Sequence, residues 1–114
     1  MDVTQPYDAD ESRLCLLYRL PVTGSPSRLL IVGNDVAAQT RQTLNNVQRL
    51  LAEAGASMSD VVSVIIYLTD VDDWATMNAV YTEFFSTPYP SRTAVGVALR
   101  DILVEISAVA YVGP

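Results

Sequence analysis

The stretch Val61-Val-Ser-Val-Ile-Ile-Tyr-Leu-Thr69 limits the fold more than any other part of the chain. Its even positions, Val62, Val64, Ile66 and Leu68, are all aliphatic, and its odd positions, Val61, Ser63, Ile65 and Tyr67, are mixed. A short run so rich in β-branched residues reads as a strand buried on both faces. Helices must cover one face of its sheet, and something else must cover the other.

Only two segments carry a helical period. Asn34 or Asp35 caps the first, in which Val36, Thr40, Thr43, Leu44, Val47, Leu50, Leu51 and Ala54 form one stripe. Gln39, Arg41, Gln42, Asn46 and Arg49 are expected to face away, and Gly55 to end the helix in a left-handed conformation. The second helix opens at Asp70, with Asp73 in its first turn, where the helix dipole favours acids. Trp74, Met77, Tyr81, Phe84 and Phe85 form its apolar face, which reads as core rather than as a ligand box, and Pro88 and Pro90 stop it.

Four further strands are expected. Residues 14–20 and 28–32 flank a turn-rich segment and read most simply as a hairpin. Residues 93–99 and 103–112 are the last two. In the final strand Val104, Ile106, Ala108, Ala110 and Val112 share an apolar face, and Glu105, Ser107, Val109 and Tyr111 share the other. The order β-β-α-β-α-β-β predicts one α+β domain over residues 1–114, a single-sheet sandwich with two helices on one face. Some combination of Ile65, Tyr67, Val95, Val97 and Val109 is left on the other face, which predicts self-association.

Composition removes several chemistries. There is no His, so Ser-His-Asp and Cys-His catalysis and the commonest zinc ligand are absent. All seven basic residues are Arg, so no lysine Schiff base can form. Cys15 is the one cysteine and reads as a small core residue in a reducing compartment. A net charge of −6 with scattered Arg residues argues against nucleic acid as partner. No apolar run approaches a membrane span, and residues 1–10 do not resemble a signal peptide, so a cytoplasmic protein is expected.

Two charges stand where charge is unexpected. Arg92 follows Pro88-Tyr-Pro-Ser and opens a strand, and Glu105 interrupts an aliphatic one. Arg92 can be a solvated strand-entry residue, and Glu105 an edge charge that prevents aggregation. Alternatively the two strands pair antiparallel and bring both residues to one cleft, where the guanidinium fork suits a carboxylate.

Residues 33–112 carry five motifs in order: Gly33-Asn-Asp-Val-Ala-Ala-Gln-Thr-Arg-Gln-Thr-Leu-Asn-Asn-Val47; Ala54-Gly-Ala-Ser-Met-Ser-Asp-Val-Val62 followed by Tyr67-Leu-Thr-Asp-Val-Asp-Asp-Trp74; Met77-Asn-Ala-Val-Tyr-Thr-Glu-Phe-Phe85; Pro90-Ser-Arg-Thr-Ala-Val95; and Leu103-Val-Glu-Ile-Ser-Ala-Val-Ala110. Together they resemble the RidA/YjgF family. The resemblance implies a chorismate-mutase-like fold, a homotrimer around a central barrel, and ligand clefts between subunits. It also implies hydrolysis of 2-imino acids and their enamine tautomers to 2-oxo acids and ammonia.

By the same resemblance Arg92 binds the carboxylate of a small metabolite and Glu105 positions or activates water. Asn78 is structural or borders the cleft, and Ala94 stands where a Cys is frequent. No cofactor or metal is implied, because a protonated imine is already electrophilic. The N-terminal third departs from the pattern: Gln5-Pro-Tyr7 replaces Gly-Pro-Tyr, and the Ser-Gly-Gln segment is missing. Tyr7 is a weak carry-over, and Tyr18 or Arg19 is expected to line the cleft instead. The departure leaves an alternative: a member with a changed cleft that binds a small metabolite or serves a specialised pathway. A ribonuclease role fits the acidic charge and the absence of His least.

Overall fold

The computed structural model describes the backbone of residues 4–9, 12–19, 21–25, 28–31 and 33–112, and the side chains of residues 21, 31 and 33–112. The strands are β1 (Thr4–Ala9), β2 (Ser12–Arg19), β3 (Val22–Ser25), β4 (Arg28–Ile31), β5 (Val61–Leu68), β6 (Ser91–Gly96) and β7 (Val104–Val112). The helices are α1 (Val36–Glu53) and α2 (Trp74–Tyr81), with single 3-10 turns at Met58–Asp60 and Val71–Asp73. The main sheet has the order β1-β2-β7-β5-β6, and β3 pairs with β4 in a separate ribbon. Only the β5–β6 pair of the main sheet is parallel. A parallel pair needs a crossover, and α2 supplies it.

The α+β architecture is the expected one, and the chain departs from the reading in its N-terminal third. The strand expected over residues 14–20 does not form a hairpin with residues 28–32. Instead β2 lies between β1 and β7, and β4 pairs with β3. The strands β1 and β3 were not expected. Pro6 within β1 lacks a ladder donor, which suits the edge position that β1 occupies.

Local chemistry sets the ends of α1. The Ala38 N–H donates to Asp35 Oδ1 at 2.8 Å, so Asp35 rather than Asn34 is the cap. At the other end Gly55 has φ +81°, and two bonds close a Schellman motif: Ala56 N–H to Leu51 O at 2.8 Å and Gly55 N–H to Ala52 O at 3.1 Å. Gly33, just before the helix, has φ +88°, and a Cβ there would lie 2.6 Å from the Ala38 Cβ.

The helix α1 packs on β7 and β2, with α2 beside it. Leu44, Leu51, Val64, Ile66, Met77 and Ile106 are fully buried between helices and sheet. Gln39 and Asn46, expected to face solvent, are buried instead. They stand on the same turns as the apolar stripe and satisfy their amides locally. Gln39 Nε2 donates to Gly33 O at 3.0 Å, and its Oε1 accepts from the Leu103 N–H at 2.8 Å. Asn46 Oδ1 accepts from Gln42 Nε2 at 2.9 Å.

Asp70 caps the 3-10 turn, accepting from the Asp72 N–H at 2.9 Å, and α2 begins only at Trp74. Its last hydrogen-bonded turn ends well before Pro88. In β5 a bulge shifts the register between Val61 and Ser63, so Val61 is buried and Val62 is 50% exposed. From there the alternation runs as expected: Val64, Ile66 and Leu68 enter the core, while Ile65 and Tyr67 stay half-buried on the opposite face. Thr93 and Val95 of β6 are registered beside Ile65 and Tyr67 on that face. Val109 of β7 shares it.

Candidate functional site

Trp74, Asn78 and Tyr81 stand at i, i+4 and i+7 of α2, a spacing that aligns them on one helix face. Arg92 is the second residue of β6 and is registered beside the core residue Val64, so its side chain rises on the helix-covered face. There it meets the α2 stripe. Arg92 Nη1 donates to Asn78 Oδ1 at 2.6 Å. Its guanidinium carbon lies 4.5 Å from the Tyr81 ring centroid and 5.2 Å from that of Trp74. Tyr81 in turn stacks on Phe85 at 4.6 Å.

The electrostatics of this group are one-sided. Among the described residues no carboxylate pairs with Arg92. Burial pushes the Tyr81 phenol above its ordinary range, and the Arg92 charge opposes part of that rise. Asn78, Tyr81, Thr82, Tyr89, Pro90 and Arg92 line an open cleft of about 480 Å³. That volume falls in the range of small-molecule sites, with aromatic walls and a few polar groups. A positive fork with donors that no other described residue engages, set in such walls, is suited to a small carboxylate.

Glu105 lies elsewhere. Its neighbours Val104 and Ile106 are fully buried against the helices, as expected, and Glu105 is half-buried on the opposite face beside Tyr67. The strands of Arg92 and Glu105 do not pair, because β5 separates β6 from β7. The expectation that pairing brings both residues to one cleft is therefore corrected. Within one chain they stand on opposite faces of the sheet.

Ala94 shares the face of Arg92, registered beside Ile66, but packs against the core rather than lining the cleft. The side chains of Tyr7, Tyr18 and Arg19 lie outside the described residues. In the backbone Tyr7 is registered with Leu14, Tyr18 with Ser107 and Arg19 with Ile106. The sequence reading missed Trp74 and Tyr81 as site residues, taking both as core, and gave no cleft role to Thr82, Tyr89 or to Pro90, which it took as a helix stop. The helical spacing of Trp74, Asn78 and Tyr81 was the signal available.

The endoribonuclease L-PSP family model matches residues 20–112, which include every residue of this cleft. The chain belongs to the RidA/YjgF family. It is 46% identical over 83 residues to a RutC family protein of Pyrococcus abyssi, covering 71% of this chain and 65% of that one. It is 41% identical over 81 residues to the 2-iminobutanoate/2-iminopropanoate deaminase of Escherichia coli, covering 67% of this chain and 63% of the relative. The chain thus spans slightly less than two thirds of the length of these relatives.

Among solved structures of the RidA/YjgF family, E. coli TdcF with bound serine superposes with a TM-score of 0.75 at 34% identity, covering 93% of this chain and 84% of that one. The fold is the family's chorismate-mutase-like α+β sandwich. No helix among the described residues is long and apolar enough to cross a membrane.

Proposed function

We propose that this protein hydrolyses 2-imino acids, and their enamine tautomers, to 2-oxo acids and ammonia at clefts between the copies of a homotrimer. The observation that carries this reading is Arg92: a guanidinium framed by two rings and one amide, without a carboxylate partner among the described residues, opening onto a small-molecule cleft. Deaminases of 2-iminobutanoate and 2-iminopropanoate among the relatives support the reaction class. The description of the family model names an endoribonuclease. A net charge of −6 makes this chain a poor phosphate binder.

In the proposed reaction the Arg92 fork fixes the substrate carboxylate and so fixes the imine carbon. The Glu105 carboxylate takes a proton from water as the water oxygen attacks that carbon. Starting from the protonated imine, the nitrogen of the adduct then takes the proton held by Glu105, the adduct's hydroxyl gives up its own proton as the C–N bond breaks, and ammonia leaves a 2-oxo acid. An enamine first takes a proton on carbon to become the protonated imine. Since Arg92 and Glu105 occupy opposite faces of one sheet, the site that uses both takes them from neighbouring copies. The half-buried apolar face carrying Ile65, Tyr67, Val95 and Val109 is the surface such an assembly would cover.

The test is ketoacid release from imines generated in situ from several amino acids. Arg92→Ala should lower kcat/KM by about 10²-fold or more, the effect of losing two charge-assisted hydrogen bonds. Arg92→Lys should rescue poorly, because a point charge cannot replace the fork. Turnover on every imine that is unchanged by Arg92→Ala would overturn the reading.

A further inference from the structure

One helix holds the cation of the cleft from several directions, and two of these holds are ring faces. Tyr81 presents its ring 4.5 Å from the Arg92 guanidinium carbon and Trp74 presents its ring at 5.2 Å. A ring face attracts a guanidinium without occupying any of its N–H donors. Among the described residues, hydrogen bonding commits only Nη1, to Asn78. Holding Arg92 by rings therefore restricts it while leaving most of its fork available. Trp74 has no comparable core role: it is 43% exposed, whereas Met77 and Tyr81 on the same helix are 0% and 4% exposed. The contact with Arg92 accounts for the position of this large ring.

We propose that Trp74 is a positioning residue for Arg92. Its ring face, together with that of Tyr81, fixes the guanidinium plane so that the uncommitted donors stay aligned for a carboxylate. The kinetic consequence rests on the proposed deaminase reading; the restraint itself is measurable without turnover. An Arg92 that is loose binds the carboxylate less well in ground state and transition state alike, which raises KM and spares kcat.

The experiment compares the full-length wild type with Trp74→Phe, Trp74→Leu and Trp74→Gln, and follows two quantities. The first is the order of the Arg92 Nε–H by proton–nitrogen NMR, with its signal assigned from Arg92→Lys. It should be rigid in the wild type and Trp74→Phe, and mobile in Trp74→Leu and Trp74→Gln. The second is steady-state deamination of the 2-iminobutanoate generated in situ. Without the aromatic ring KM should rise about five- to tenfold with kcat nearly unchanged, and Trp74→Phe should recover most of the loss.

Trp74 is the only tryptophan, so the contact can also be read from the other side. Folded Arg92→Ala should show shifted tryptophan emission, a readout that needs no change at Trp74. Equal rigidity of Arg92 in all variants, unchanged emission in Arg92→Ala, or an unchanged KM in an active Trp74→Leu enzyme would overturn the proposal. A wild type that turns over no imine would defeat the deaminase reading instead, and the NMR and emission results would then decide the role of Trp74.

Discussion

Tyr81 combines two environments in one side chain. Its ring serves the cleft, lying under Arg92 and against Phe85, while its hydroxyl is buried without a hydrogen-bond partner among the described residues. Burial is the larger influence on the phenol and raises its folded value above the ordinary value of 10.0; Arg92 acts in the opposite direction. The folded state thus holds this proton more tightly than the unfolded chain does. Stability linked to it is complete below the unfolded value and is lost as pH rises toward the folded one. Tyr81→Phe keeps the ring and removes an unpaired buried group. Its stability in urea should equal that of the wild type or exceed it by about 1 kcal/mol, and its loss of stability at alkaline pH should be smaller. A decrease of more than about 1 kcal/mol would mean that the hydroxyl has a partner. At this scale the sequence revealed Arg92 and Glu105, because each is a charge among apolar strand residues. It concealed Trp74 and Tyr81, because an aromatic residue at helical spacing looks the same whether it packs on a core or on a cation.

Among the elements, α1, β5 and β7 follow their periods closely enough to be read from pattern alone. What the pattern missed has physical causes. Gln39 and Asn46 lie on the buried side of α1 because their amides find partners there, and no hydropathy pattern reports a satisfied amide. The bulge in β5 turns Val62 outward by one extra residue. The strand β1 mixes Thr, Gln, Pro, Tyr, Asp and Ala, with no alternation to reveal it. Gln39 joins three elements of the fold: the turn before α1, α1 itself and the entry to β7. Gln39→Leu keeps the bulk and removes both bonds. Unfolding in urea should show a loss of about 1–3 kcal/mol for each backbone group left unpaired. A stability within 0.5 kcal/mol of the wild type, on the order of an ordinary surface substitution, would show that water replaces the amide at no cost. The Arg41–Glu83 pair also links α1 to the turn after α2, with bonds of 2.8 and 2.9 Å, and the two hydrogen bonds hold the Glu83 carboxyl below its usual range. Both side chains are about half exposed, so the pair adds little to stability.

At the scale of the whole molecule, the sequence predicted that two helices leave one sheet face uncovered, and the described residues place Ile65, Tyr67, Val95 and Val109 there, half-buried. It did not reveal that Arg92 and Glu105 would be separated, because that depends on β5 lying between β6 and β7, a pairing fixed by the crossover through α2. The separation gives the account its most direct test. In the proposed trimer each site takes Arg92 from one copy and Glu105 from another. Arg92→Ala and Glu105→Gln should each be nearly inactive alone. When the two variants are unfolded together and refolded as mixed assemblies, a neighbouring pair can combine an intact Arg92 with an intact Glu105. Random mixing around a closed ring places both in about a quarter of the sites. The account predicts that ketoacid release recovers to about that fraction of the wild-type rate. Activity in the mixture no higher than the sum of the two separate variants would contradict it.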